Sequence, residues 1–354
     1  MNACFYEETV NLDNPSEYQE IASFLKEQNL SFEPVSYTVR ILNEKKALLG
    51  TGSVQGSVIK CLAVHQDYRE GQVFAKIVSH LLEYLTLQKI YHCFVFTAPA
   101  NAESFENLGF KEIEQSQNMI TLLERGTPNL QDYKNYLQQN KISLPAKKNK
   151  IGVCIVNCNP FTLGHRYLIE TAAQKSDYLY VLVVEEDLSV FPFPIRYELI
   201  QKGTADLPNV KVLKGDKYVV STATFPAYFL KNENIGKIQK AQAELDVRIF
   251  AHHIASILNI NKRFVGTEDY CQTTAAYNQA MQAVLPQYDI DLQIIPRKKT
   301  QNDLIISASH VRNALKEENW KLIAKLVPIS TLNFLQSPAA KSIINKLKNS
   351  HNRH

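Results

Sequence analysis

A short polar loop near the middle of the chain carries residue types that could hold an anion. Thr162 and His165 stand three positions apart with Gly164 between them, so a hydroxyl and an imidazole occur beside glycine. Glycine has no Cβ atom, so a bulky ligand can approach the main chain closely there. These three residues together predict a site that donates hydrogen bonds to a negatively charged ligand.

The elements predicted on either side of this loop would direct its hydrogen-bond donors towards an anion. Residues 151–156 are mainly β-branched and apolar, as is typical of a strand buried on both faces. Apolar residues at helical spacing follow the loop over 168–173. A strand, a tight loop and a helix place backbone N–H groups and a helix N-terminus at an anion. The simpler alternative is that His165 only caps the helix.

Two segments carry the signatures of a known superfamily. Residues 159–165, NPFTLGH, have the T-x-G-H form found in adenylyl-transferring nucleotidylyltransferases, and residues 306–312, ISASHVR, match the I-S-x-S-x-x-R form. The second segment also predicts an anion site by itself, because Ser307 and Ser309 lie at a helix start and Arg312 follows one turn later. Locally, Ser309 could equally be a helix cap. The chain therefore resembles this superfamily.

This resemblance implies adenylyl transfer from ATP with Mg²⁺, and it gives roles to the matching positions. Thr162 and His165 are expected to act as catalytic groups at the triphosphate and at the transition state on the α-phosphorus. Arg196 is expected to reach the phosphates as a third catalytic group, with a surface salt bridge as its alternative role. No metal ligand is assigned. The expected nucleotide contacts are Asn159, Pro160, Phe161, Gly164, Gly266, Thr267, Glu268, Ser307, Ser309 and Arg312.

The first third of the chain predicts a mixed α+β domain. Its order of elements, and the helix over 101–110 (NAESFENLGF), resemble the GCN5-related N-acetyltransferase (GNAT) fold. Members that bind acetyl-CoA hold its pyrophosphate in a glycine-rich loop, whereas residues 69–74 contain one glycine together with Glu70 and Phe74. We expect the fold without acetyl transfer. The predicted elements are helices over 15–27, 73–88 and 102–108 and strands over 36–42, 47–54, 58–64, 92–97 and 119–123.

Strands and helices alternate in the remainder of the chain. This alternation predicts a Rossmann-like parallel sheet that binds ligands at the carboxyl ends of its strands. The fold class is therefore α/β, with a GNAT-like domain over 1–124, a linker over 125–150 and a nucleotidylyltransferase domain over 151–354. The predicted parallel strands cover 151–156, 178–184, 210–213, 263–265 and 292–295.

Composition narrows the function classes. A chain of 354 residues suits two domains, and a net charge of +4 is too small to argue for nucleic acid. No signal peptide or membrane-length apolar run is present, so we expect a cytoplasmic protein without a membrane partner. Cys154 and Cys158 lack a second Cys/His pair at ligand spacing, so reduced, structural cysteines are expected rather than a metal site.

The whole arrangement closely resembles the citrate lyase ligase family of citrate-fermenting bacteria, over nearly the full chain. The resemblance implies that ATP activates acetate as acetyl-adenylate. The acetyl group then passes to the thiol of the CoA-like prosthetic group on the acyl carrier subunit of citrate lyase. On this interpretation the segment 221–230 contains the acetate pocket, with hydroxyls for the carboxylate and aromatic rings for the methyl group: Thr222, Thr224, Phe225, Tyr228 and Phe229.

Two other functions remain open from the residues. The adenylyl acceptor could instead be a phosphomonoester, such as phosphopantetheine or a mononucleotide. The chain could also be a protein N-acetyltransferase whose second domain senses ATP, although the altered loop over 69–74 argues against acetyl transfer.

Overall fold

The chain divides into two compact units, Met1–Asp132 and Tyr133–His354. The structure is a computed structural model, and it describes residues 5–69, 72–116, 119–143, 149–185, 189–221, 224, 236–267, 272–300 and 302–349. Each unit contains one β-sheet. The expected fold class is confirmed, because a mixed α+β unit precedes a unit built on a parallel sheet.

The first unit is a seven-stranded sheet in the order β1-β2-β3-β4-β5-β7-β6. All pairs are antiparallel except β4 and β5, which pair in parallel over two residues. The strands are Tyr6–Thr9 (β1), Tyr37–Leu42 (β2), Leu48–Gln55 (β3), Val58–Val64 (β4), His92–Thr97 (β5), Lys111–Ser116 (β6) and Ile120–Gly126 (β7). Its helices are Pro15–Glu27 (α1), Gln72–Leu87 (α2) and Ala102–Glu106 (α3), and Leu130–Asn140 (α4) follows β7.

Helix α2 lies close against strand β3. A Cβ atom added at Gly52 would be 2.6 Å from the side chain of Ile77, so glycine is needed at this approach. Phe74, which we expected to obstruct an acetyl-CoA phosphate cradle, packs edge-on against Phe105 at 5.0 Å between ring centroids. Glu70 and Gly71 lie outside the described residues. The loss of acetyl transfer therefore stays a prediction.

Two strands of the first unit were missed by the sequence patterns. Both β1 and β6 are edge strands with largely polar residues, and neither shows the alternation by which a half-buried strand is recognised. Each of them is a strand because the backbone of a neighbouring strand forms hydrogen bonds with it, and the tertiary fold decides which strand is the neighbour.

The second unit is a five-stranded, fully parallel sheet in the order β10-β9-β8-β11-β12. Its strands are Ile151–Val156 (β8), Tyr178–Val183 (β9), Val210–Lys214 (β10), Lys262–Gly266 (β11) and Asp291–Ile295 (β12). Its helices are Leu163–Gln174 (α5), Phe193–Gly203 (α6), Lys237–Ile249 (α7), Ser256–Leu258 (α8), Gln272–Val284 (α9), Ala308–Lys316 (α10), Trp320–Leu326 (α11), Ile329–Gln336 (α12) and Lys341–Asn349 (α13), with a π-helical segment at Phe250–Ala255.

The strand order reverses between β8 and β11. The chain runs outward from β8 to β9 and β10 and then returns to β11 on the other side of β8. In open parallel sheets, ligands bind in the crevice at the carboxyl ends of the strands where this reversal occurs. The loop after β8 contains Thr162 and His165, so the sheet places these residues at that crevice.

The described cysteines are all free thiols. Burial raises the pKa of both Cys154 and Cys158 well above the ordinary thiol value, so these two groups stay protonated and unreactive. Cys4 and Cys271 lie outside the described residues. Within the part of the chain that the structure describes, no helix is long and apolar enough to cross a bilayer.

Candidate nucleotide-binding site

Helix α5 begins with a reciprocal cap made by Thr162 and His165. The Thr162 hydroxyl accepts the backbone N–H of His165 at 3.3 Å, and Nδ1 of His165 accepts the backbone N–H of Thr162 at 3.1 Å. Because Nδ1 is an acceptor, the neutral imidazole must carry its proton on Nε2. His165 therefore does cap the helix, and the cap leaves Nε2–H as a hydrogen-bond donor.

The imidazole of His165 is held in its neutral form. Burial, together with the positive charges of Arg297 and Arg312, lowers its pKa from the ordinary 6.5 to about 4. At neutral pH the ring would therefore donate through Nε2–H without carrying a charge of its own. Such a group can stabilise charge that develops on a phosphate oxygen.

This protonation state gives a testable pH dependence. We expect His165 to titrate near pH 4 and to show the Nε2–H tautomer throughout the neutral range, in NMR spectra of ¹⁵N-histidine-labelled protein. The unfolded chain binds this proton at about pH 6.5, so protonation favours unfolding progressively as the pH falls from 6.5 towards 4. The His165→Gln variant assigns the resonance. A titration midpoint near 6.5 would contradict the assignment of a neutral ring with a lowered pKa.

Gly164 brings the first signature segment against the second. A Cβ atom added at Gly164 would lie 2.5 Å from the carbonyl oxygen of Ile306, which is closer than any real contact. We expected this glycine to admit a ligand to the backbone, but the group that approaches it is the main chain of Ile306. The starts of α5 and α10 therefore lie side by side.

Helix α10 starts at the second signature. The Ser307 hydroxyl caps it by accepting the backbone N–H of His310 at 3.2 Å, and Ser309 lies in the first turn. Arg312 donates to the Ser309 hydroxyl at 3.2 Å and to the carbonyl oxygen of Asn159 at 2.6 Å. The second contact joins α10 to the loop that precedes Thr162. Hydroxyls, backbone N–H groups and a buried guanidinium thus converge at this place.

The residues before Thr162 form the framework of the loop. Asn159, Pro160 and Phe161 are buried, and the Asn159 side-chain oxygen accepts the backbone N–H of Phe191 at 3.1 Å. The Phe161 ring lies near parallel to the His165 ring, with 6.1 Å between centroids. The nucleotide contacts expected of Asn159, Pro160 and Phe161 stay predictions. In the structure these three residues hold the loop in place and thereby position Thr162 and His165.

Arg196 has a different environment from the one expected. It is completely buried in the first turn of α6, and its guanidinium donates to the carbonyl oxygens of Asn157, Val184 and Phe191 at 2.7–2.9 Å. A surface salt bridge is therefore wrong for this residue. These bonds tie the loop after β8 to the segments around α6, which is a positioning role, and its phosphate contact stays a prediction.

The segment after β12 supplies an additional cation, Arg297, which contacts the loop after β11. Gly266 ends the strand, and Thr267 accepts a hydrogen bond at its carbonyl oxygen from Nε of Arg297 at 2.6 Å. Arg297 was not among the predicted site residues, although its charge acts on His165. The basic run Arg297-Lys298-Lys299 directly after β12 is the signal that could have identified it. Glu268 lies outside the described residues.

The predicted acetate segment is described only at its beginning. Thr224 is buried, and its hydroxyl accepts the backbone N–H of Ser221 at 3.0 Å. Four of the predicted pocket residues lie outside the described part of the chain: Thr222, Phe225, Tyr228 and Phe229.

Comparison with known proteins places the chain in a family. Residues 151–335 match the family described as the citrate lyase ligase C-terminal domain. The [citrate [pro-3S]-lyase] ligase of Haemophilus influenzae is 38% identical over 322 residues, covering 89% of this chain and 94% of that protein. The Escherichia coli ligase is 36% identical, covering 90% of each chain. This chain belongs to the citrate lyase ligase family. The predicted family and the assignment as a ligase are confirmed.

Solved structures also align with part of this citrate lyase ligase family member. A GNAT-family acetyltransferase from Staphylococcus aureus Mu50 covers 35% of this chain and 99% of its own, with 16% identity and a TM-score of 0.30. Pantoate–β-alanine ligase from Francisella tularensis covers 60% of this chain and 84% of its own, with 16% identity and a TM-score of 0.34.

Proposed function

We propose that this ligase uses ATP to activate acetate as acetyl-adenylate and then acetylates the thiol of the CoA-like prosthetic group on the acyl carrier subunit of citrate lyase. The proposal places the reaction in the cytoplasm, where ATP is supplied. The observation that carries it is the pair of adjacent, capped helix starts at Thr162 and Ser307, with a neutral His165 on which the charges of Arg297 and Arg312 act, in a chain of this family.

The first step is an in-line displacement at phosphorus. A carboxylate oxygen of acetate forms a bond to the α-phosphorus, the bond from that phosphorus to the bridging oxygen breaks, and pyrophosphate leaves. His165 donates Nε2–H to an α-phosphate oxygen, where negative charge grows in the transition state. Ser307, Ser309 and Arg312 hold the β- and γ-phosphates with their hydroxyls and positive charge.

The second step transfers the acetyl group. The thiol sulfur of the prosthetic group releases its proton to solvent and attacks the acetyl carbonyl, the bond between that carbon and the AMP oxygen breaks, and AMP leaves. ATP enters as its magnesium complex. The helix-start side chains named above are hydroxyls, an imidazole and a guanidinium and include no carboxylate, so Mg²⁺ would be held by the phosphates of the nucleotide and would neutralise part of their charge.

The test is exchange of labelled pyrophosphate into ATP by the full chain before any carrier protein is added. We expect exchange with acetate and none without it, because formation of acetyl-adenylate is reversible. Propionate should exchange weakly, since one methylene changes selectivity by only about 10–200-fold. Exchange with phosphopantetheine or a mononucleotide in place of acetate would identify a phosphomonoester adenylyltransferase. Complete absence of exchange would fit the acetyltransferase alternative.

A further inference from the structure

Strand β11 carries a buried arginine that the site described above does not use. Arg263 is 2% exposed, and it lies three residues before the carboxyl end of the strand at Gly266. Among the residues that the structure describes, neither its Nε nor its Nη1 has a hydrogen-bond partner. Buried N–H groups of a charged side chain are costly when they are left unpaired, so a partner is expected at this position.

The guanidinium of Arg263 lies between two aromatic rings. It is 4.5 Å from the ring centroid of Phe250 and 5.5 Å from that of Tyr277. Its remaining nitrogen, Nη2, donates to the Tyr277 hydroxyl at 3.0 Å. The rings hold the cation and exclude water, which strengthens any hydrogen bond that it makes to a negative group.

Among the described residues, the carboxylate of Asp246 is linked to Arg263 only through the Tyr277 hydroxyl. Asp246, on α7, accepts the Tyr277 hydroxyl at 2.6 Å and the backbone N–H of Val220 at 2.9 Å, and Thr224 also donates to it. Asp246 therefore accepts hydrogen bonds from three donors other than Arg263. It also joins Arg263, through Tyr277, to the start of the segment predicted to contain the acetate pocket.

We propose that Arg263 binds the carboxylate of the acid substrate through these unpaired N–H groups. This inference rests on the proposed function and names the residue that recognises acetate. One carboxylate oxygen accepts hydrogen bonds from the guanidinium while the other attacks the α-phosphorus. A small carboxylate with a single charge fits this place better than a phosphate group, because buried Asp246 would repel a more highly charged anion.

The test compares variants of the full chain in acetate-dependent exchange of pyrophosphate into ATP. Arg263→Met removes the charge at similar length, Arg263→Lys keeps the charge without the planar donor set, and Tyr277→Phe removes the hydroxyl that orients the guanidinium. Arg248→Gln is the matched control, since Arg248 on α7 is partly exposed and pairs with Glu244. Melting temperature and circular dichroism report whether each variant folds.

We expect the KM for acetate to rise by about 10- to 100-fold in Arg263→Met, the scale for losing hydrogen bonds to a charged group. The rise should be smaller in Arg263→Lys and Tyr277→Phe, and the KM for ATP should change little in all three. Arg248→Gln should keep both KM values. If Arg263→Met does not fold, the KM values for acetate and ATP of Arg263→Lys and Tyr277→Phe test the proposal instead.

Two outcomes would overturn the assignment of Arg263. Folded variants with an unchanged KM for acetate would make the residue purely structural. An equal rise in the KM values for ATP and acetate would make it a general contributor to the site or a phosphate contact. Failure of the proposed function is distinct from both, because the unmodified protein would then show no exchange with acetate.

Discussion

Replacement of His165 by alanine is expected to lower the rate of acetate-dependent exchange by about 10²- to 10³-fold, the effect of losing one transition-state donor. The affinity for ATP should change little, since the role proposed for Nε2–H is at the α-phosphate in the transition state. Rate constants at saturating ATP and acetate, with ATP affinity from calorimetry, measure the two effects separately.

The matched control is His165→Gln. Glutamine at this position of a capping box can still accept the backbone N–H of Thr162, so the helix cap is kept while Nε2–H is lost. We expect both variants to lose rate, and only His165→Ala to lose about 1 kcal/mol of stability, the usual value of a cap. A His165→Gln protein with nearly normal exchange would show that the imidazole serves only as a cap.

Replacement of Gly164 by alanine is expected to damage both stability and catalysis. The added methyl group would lie 2.5 Å from the carbonyl oxygen of Ile306, so the two helix starts must separate. Overpacking of this kind costs about 1–3 kcal/mol. A shift of about 1 Å between catalytic groups can cost about 10²-fold in rate, so we expect exchange to fall by at least that much.

Thermal melting measures the expected loss of stability in Gly164→Ala, and the pyrophosphate exchange assay measures the expected loss of rate. Gly266→Ala is the control for stability alone, since an added Cβ atom there has its nearest neighbour at 3.9 Å in the Arg297 side chain. Its melting temperature should stay close to that of the unmodified protein. Unchanged exchange in Gly164→Ala would mean that the contact between the two helix starts is not needed for the reaction.

The sequence alone was sufficient to predict the structural features that depend on residues close to one another in the chain. The caps at Thr162 and Ser307 each join residues three positions apart, so a short motif contains the whole interaction. The five parallel strands were also predicted, because strands buried on both faces have continuous apolar runs. From these two features followed the fold class and the position of the loop that carries Thr162 and His165 at the carboxyl edge of the sheet.

The tertiary structure alone decided which groups meet across the site. Arg312 and the carbonyl oxygen of Asn159 are 153 residues apart in sequence, and Gly164 contacts the backbone of Ile306 across a similar span. Arg196 was expected to reach the phosphates but donates to backbone carbonyls instead. Arg263 is buried on β11, and its Nε and Nη1 have no hydrogen-bond partner among the described residues. The residue type determines which hydrogen bonds a side chain can make. Burial and long-range packing determine which partner it actually meets, and both depend on the complete fold.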